Sequence, residues 1–379
     1  MNNKKVLLLY NFFDPAYKAG GPIRSLVNLV RLLEGTIELH VLCTNQDHDG
    51  SLLDVESDQW VSYGEATQVQ YLSPKNRTFK HIRGIIAKLN PDLVYINGIY
   101  SLPFVVFPLR ALKRKHAVKM IIAPRGMLQS QALSIKPLKK KLYLFFLKLV
   151  YLGEGVHWQV TTAQERTDLI NFLKTENNIH LVGNVPTFNR AQLIRTPVKK
   201  KVKVFGTVAL ISPMKNIHLI LESLGNIKEE LEYHLYGPIK DHAYWQECQD
   251  IISKLPLHIK VHYAGEVPPS GVAESISGFD FYIQPSKSEN FGHSIFEAFN
   301  QGVPVIISDQ TPWRDLRDKK AGWDVDLNQQ GALVHTIEEA LSMDGETYRQ
   351  FQKGARKMAE HYMAEHDFVN LYLELFRRL

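Results

Sequence analysis

The sequence predicts an α/β protein of two Rossmann-like domains whose parallel sheets face an interdomain cleft. Short apolar runs alternate with amphipathic ones along the chain, the alternation breaks once and restarts, and 379 residues suit two or three domains. Strand–helix alternation needs crossover connections, and these give parallel sheets covered on both faces. Ligands of such sheets bind beyond the carboxyl ends of the strands, so the cleft between the domains is the expected site.

Taken in order, KVLLLY (5–10) reads as a buried strand, and SLVNLVRLLEG (25–35) as a helix that stops at Gly35. IELHVLC, TFKHIRGIIAKL, DLVYI, a basic helical region near 110–119, VKMIIA and a second basic region continue the alternation. TTAQERTDLINFLK sets Thr162 and Glu165 at capping-box spacing, which starts a helix. NIHLVG closes the first domain, residues 1–185. Residues 186–201, with Pro186, Pro197 and a lysine run, read as a linker. A second domain, 202–361, restarts with KVKVFGTVAL, a helix from about Lys215, and the strands LEYHLYG, IKVHYAG, DFYIQ and VPVIIS. The end of the chain is helical, and its last part, about 362–379, is expected to pack back on the first domain.

Composition narrows the class. Apolar residues make up 45% and charged residues 22%, which is a soluble globular balance with ample core. Cys43 and Cys248 have no CxxC or histidine spacing near them, so they read as core fillers of a reducing compartment with no zinc site. The N-terminal apolar run is too short for a signal peptide, and no stretch approaches the ~18 residues that span a bilayer. A cytoplasmic location is expected. The net charge of +6 is mild, no nucleic-acid-binding signature accompanies it, and much of the excess lies in 110–119 and 136–151.

The stretch SENFGHSIFEAFNQGVPVIISD (288–309) carries the chemistry. A strand ends at Pro285, SENFG turns, and a helix starts at His293 and ends by Gly302. A helix start exposes N–H groups and about half a positive charge, which suits a phosphate, and Gly292 lets a ligand approach the backbone. Glu289 lies outside the helix, and Glu297 more than a turn inside it, where a carboxylate can accept from a diol. Ribose, diphosphate and sugar in a row match this layout, so a nucleotide sugar is the implied ligand. The 15 histidines show no HExxH-type clustering, and no metal site is expected.

SENFGxSIFEA followed by GVPVIISD resembles the E-x7-E signature of the family 4 (group 1) retaining glycosyltransferases, which have the GT-B fold. GGP (20–22), INGIYS (96–101), APRGML (123–128), ISPMKN (211–216) and TPWRDL (311–316) extend the likeness along the chain, toward bacterial surface-polysaccharide and lipopolysaccharide members. The resemblance implies that Glu289 holds the transferring sugar and Glu297 the ribose. Backbone groups of Asn290, Phe291 and Gly292 would line the sugar, while His293, Ser294 and Lys215 face the diphosphate. Gly20 and Gly21 would close on the donor from the first domain, and Arg125 would act near the acceptor. Transfer is expected to be retaining and metal-independent, with no cofactor beyond the nucleotide-sugar donor. The acceptor would be a glycan or a lipid-linked oligosaccharide. One departure stands out: the arginine the family places five residues before the lysine is Leu210 here.

Two rival readings are a nucleotide-sugar epimerase on the same fold and a non-catalytic nucleotide-sugar-binding subunit. A further question concerns 136–152, where Leu138, Leu142, Phe145, Leu149 and Leu152 form a helical stripe among Lys136, Lys139, Lys140, Lys141 and Lys148. Such a helix either packs its stripe into the first domain or sits peripherally on an anionic membrane at its inner face.

Overall fold

A computed structural model describes residues 4–113, 118–134, 137–152, 155–190 and 202–377. The chain forms two compact units: one runs to Val185 and resumes at Asp367, and the other runs from Pro186 to His366. Most of the expected linker, 191–201, lies outside the described residues.

The first unit contains β1 (Lys5–Leu9), α1 (Gly21–Leu33), β2 (Glu38–Thr44), β3 (Trp60–Tyr63), β4 (Thr67–Leu72), α2 (Phe79–Leu89) and β5 (Leu93–Asn97). Then come α3 (Phe107–Leu112), β6 (Lys119–Ala123), α4 (Ser130–Ser134), α5 (Pro137–Phe146), β7 (Val156–Val160), α6 (Ala163–Leu173) and β8 (Ile179–Leu181). Its sheet has the order β3-β4-β2-β1-β5-β6-β7-β8. All pairs are parallel except β3 with β4. The antiparallel hairpin at the edge is absent from the sequence reading, because TQVQYL alternates polar and apolar residues and lacks a continuous apolar run. Strands β1 and β5 are buried nearly throughout, as a sheet covered on both faces requires.

The second unit contains β9 (Lys203–Val208), α7 (Ile217–Leu224), β10 (Leu231–Tyr236), α8 (His242–Ile252), β11 (Ile259–Tyr263), α9 (Val272–Ser277) and β12 (Phe281–Gln284). It continues with α10 (His293–Asn300), β13 (Val305–Ser308), β14 (Gly322–Val325), α11 (Ala332–Ser342) and α12 (Gly345–Glu365). Its parallel sheet has the order β11-β10-β9-β12-β13-β14. In this doubly wound order the direction of winding reverses between β9 and β12, and the strand ends flanking that reversal form the ligand crevice. One core of Phe205, Tyr233, Phe281 and the α7 face lies on one side of the sheet, and a second of Tyr282, Phe296, Phe299 and Trp313 on the other.

Buried Arg356 of α12 fixes α10 from behind. Its guanidinium donates to the Asn300 carbonyl and side chain, both at 2.6 Å, and to the Asn189 carbonyl at 3.0 Å. A cation at the carboxyl end of α10 complements the helix dipole. The final helix, α13 (Phe368–Arg377), belongs to the first unit, where Tyr372 Oη donates to the Gly183 carbonyl at 3.0 Å. Both cysteines are buried and free.

Candidate functional site

The loops after β9 and β12 are tied to each other. Asn216, at φ +52°, turns its amide to donate to the Pro285 carbonyl at 2.8 Å, and Lys287 N donates to the Met214 carbonyl at 2.9 Å. Lys215 therefore sits in a single 3-10 turn before α7 instead of on the helix, because the left-handed Asn216 separates the two. From that turn its ammonium donates to Glu289 Oε1 at 2.5 Å.

The same carboxylate oxygen accepts from Gln284 Nε2 and Ser286 Oγ, both at 2.7 Å. Gln284 is fully buried, and its Oε1 accepts from Tyr282 Oη and from Ser294 Oγ, the latter at 3.1 Å. The amide thus joins Glu289 to the first turn of α10. Burial raises the Tyr282 phenol far above its ordinary range, so it serves as a neutral donor. The sequence reading missed Gln284 and Ser286, although a polar residue closing the apolar run FYIQ was the available signal.

Helix α10 starts at His293, and no side chain caps it. Gly292 is left-handed at φ +78°, and a Cβ there would meet Ile295 Cδ1 at 2.8 Å. Phe291 is 6% exposed and its carbonyl accepts from Trp313 Nε1 at 2.7 Å, so this residue anchors the turn and its carbonyl is already engaged. Glu297 is 5% exposed, which excludes an ordinary solvated helix position. Lys215, Glu289, Asn290, Phe291, Gly292, His293, Ser294 and Glu297 thus all lie on the loops and helix at the β9/β12 reversal. Leu210, on the loop after β9, is half-buried and outside the cores.

Gly20, Gly21 and Arg125 belong to the other unit. Gly20, at φ +78°, precedes α1, and Gly21 is its first residue. Arg125 is 7% exposed and carries φ +56°. Its guanidinium donates to Asn97 Oδ1 at 2.7 Å, to Asn184 Oδ1 and to Tyr95 Oη at 2.7 Å. Burial works against its charge, but Tyr95, Tyr372 and Glu165 outweigh that and raise its pKa. Arg125 thus ties Asn97, Asn184 and Tyr95 together inside the unit through three of its five N–H donors. The helix expected at Thr162 starts there, as α6, with Thr162 as its N-cap. Thr162 does accept from Glu165 N at 3.1 Å, but the Glu165 carboxylate accepts from Gly126 N and from Thr161 instead of closing a reciprocal capping box.

Most of the stripe of 136–152 faces away from the core, and only its last member, Leu152, packs against it. Leu138 is 82% exposed, Leu142 and Phe145 60%, and Leu149 69%, whereas Leu144 and Leu147 face inward. Lys139 and Lys141 are exposed, while Lys140 donates to the Ala132 carbonyl and Lys148 to the Phe172 carbonyl. Lys136 lies outside the described residues. Among the described residues no helix is long and apolar enough to cross a membrane. Also among them, Glu232, His234 and His262 converge within 4.8 Å on β10 and β11. Strand pairing, invisible to sequence spacing, brings them together on the sheet edge.

Residues 188–358 match the family described as "Glycosyl transferases group 1". The O-antigen biosynthesis glycosyltransferase WclY of Escherichia coli is 23% identical over 249 residues, which is 63% of this chain and 64% of that relative. Sucrose-phosphate synthase from Thermosynechococcus elongatus shares the fold with a TM-score of 0.76 at 16% identity, covering 99% of both chains. Anabaena HepE in complex with UDP and glucose does so with a TM-score of 0.72 at 14% identity, covering 100% of both. These likenesses show the GT-B fold.

Proposed function

We propose that this chain, whose residues 188–358 belong to the group 1 glycosyl transferases, moves a sugar from a nucleotide diphosphate donor to a glycan or lipid-linked acceptor in surface-polysaccharide synthesis. The carrying observation is the meeting of Lys215 and Glu289 beside the uncapped start of α10, at the strand ends where the sheet reverses. The uncapped turn and Lys215 receive the diphosphate, and Glu297 receives the ribose. Glu289, held by Gln284 and Ser286, keeps a carboxylate oxygen for the sugar.

Donor entry exchanges partners: Lys215 leaves Glu289 for the diphosphate, and Glu289 turns to the sugar hydroxyls. As the glycosidic bond to phosphate breaks, negative charge grows on the leaving diphosphate and positive charge on the sugar ring. Lys215 and the helix start stabilise the first by electrostatics, and Glu289 orients the second. The acceptor hydroxyl then bonds to the anomeric carbon on the departing face, with retention, and its proton passes to the leaving phosphate. The reading needs no metal ion, so transfer should survive EDTA. It suits a cytoplasmic enzyme held at the inner face of the membrane through α5.

A panel of UDP-, GDP-, ADP- and dTDP-sugars identifies the donor, since a ligand at 100 times its dissociation constant adds ~2.7 kcal/mol to stability. With that donor, Glu289→Ala should lower the rate constant more than the affinity, and Glu297→Ala the affinity more than the rate constant. Wild-type kinetics in both variants would end this reading.

A further inference from the structure

The loop after β10 lies against the loop that carries Leu210 and Lys215 and brings a second lysine, Lys240, to it. Ala209 N donates to the Tyr236 carbonyl and Ile211 N to the Pro238 carbonyl, both at 2.9 Å. In return, Lys240 N and Asp241 N donate to the Ile211 carbonyl at 3.1 and 3.3 Å. Gly237 permits the contact: at φ +138°, a Cβ on it would lie 1.9 Å from the Ala209 carbonyl oxygen. Asp241 caps α8 by accepting from Tyr244 N at 3.1 Å, which fixes where residue 240 stands.

Lys240 is thus anchored by its backbone on the platform that presents Lys215. Its side chain is exposed, and among the described residues it has no hydrogen bond or ion pair. Lys215, by contrast, is paired with Glu289. Desolvation by nearby protein atoms lowers the Lys240 pKa, and the Lys215 ammonium lowers it further, so the two charges feel each other. Of the two lysines only Lys215 has a carboxylate partner, so the pair carries one positive charge in excess.

We infer that Lys240 is the second cation of the nucleotide diphosphate site, replacing from the β10–α8 loop the arginine missing at position 210. The inference rests on the donor-site reading above. With a diphosphate bound, Lys215 and Lys240 face it from adjacent loops, and the repulsion between them becomes shared attraction for one ligand.

The test is calorimetry of the full chain with UDP, GDP, ADP and dTDP at low and high salt. The variants are Lys240→Met, Lys240→Arg, Lys215→Met, and Lys254→Met as an exposed control. For the base that binds, Lys240→Met should weaken affinity about 10- to 100-fold at low salt and flatten the salt dependence. Lys240→Arg should bind as wild type. Adding Leu210→Arg to Lys240→Met should recover part of the loss, which a merely structural lysine would not allow. Melting temperature without ligand should stay unchanged in Lys240→Met. Wild-type affinity in Lys240→Met beside a weakened Lys215→Met overturns the inference alone. A wild-type chain that binds none of the four diphosphates overturns the donor-site reading itself, and the inference with it.

Discussion

The two units carry charged groups at their strand ends in opposite ways. In the first, the Arg125 guanidinium is buried and each of its three nitrogens has a partner: Asn97, Asn184 and Tyr95. In the second, Lys215 has one carboxylate, Lys240 has no side-chain partner among the described residues, and the start of α10 has no side-chain cap. A saturated charge holds a fold together, and an unsaturated one is available to a ligand. On the proposed reading, the same doubly wound topology serves stability at one set of strand ends and binding at the other.

The largest expected effect tests the saturated side. Arg125→Met removes the hub of a buried network and strands Asn97, Asn184 and the Tyr95 hydroxyl without their donor. Breaking such a network costs about 3–5 kcal/mol. Urea unfolding should show that loss in the transition of the first unit, with donor affinity of the folded chain retained. If Arg125→Met kept wild-type stability and lost transfer, the guanidinium would belong to the chemistry after all.

On the unsaturated side the effect is smaller and moves to binding. Lys215→Ala should weaken the nucleotide diphosphate by roughly 1.5–3 kcal/mol, about 10- to 150-fold. Glu289 keeps Gln284 and Ser286 as donors, so the unfolding free energy should change by less than about 0.5 kcal/mol. A variant that lost stability but kept affinity would reverse the assignment and make Lys215 the structural residue.

This contrast also marks what could be read from the sequence. The strand–turn–helix around Gly292 was legible because its signals are local: an apolar run, a turn, a glycine and a helical stripe. The helix His293–Asn300 begins where the sequence placed it. Roles that depend on which strands lie side by side were not legible. The buried network of Arg125 was hidden because its partners Asn97 and Asn184 lie 28 and 59 positions away. Lys240 was invisible as a site residue for the same reason, since only the zipping of two loops sets it beside Lys215. The edge hairpin of β3 and β4 escaped because TQVQYL alternates in polarity, unlike the apolar runs used to find the other strands, although β4 is buried nearly throughout.

The last expected effect lies outside the donor site, in α5 and the π-helical turn Leu147–Tyr151 that continues it, where two faces repeat the contrast. Leu144 and Leu147 are buried, and truncating either to alanine should cost about 2–4 kcal/mol by leaving a cavity. Leu138, Leu142, Phe145 and Leu149 are exposed, so replacing Leu138, Leu142 and Phe145 together by serine should change stability by less than about 1 kcal/mol. An exposed apolar stripe flanked by Lys139 and Lys141 matches an anionic lipid surface, where the leucines and phenylalanine leave water and the lysines meet headgroups. The triple serine variant should therefore fold normally and lose sedimentation with phosphatidylglycerol vesicles, while the wild type binds these and ignores phosphatidylcholine. Equal sedimentation of the variant and the wild type would remove α5 from the membrane contact. A large drop in the variant's melting temperature would show that the stripe is covered by protein instead of lipid.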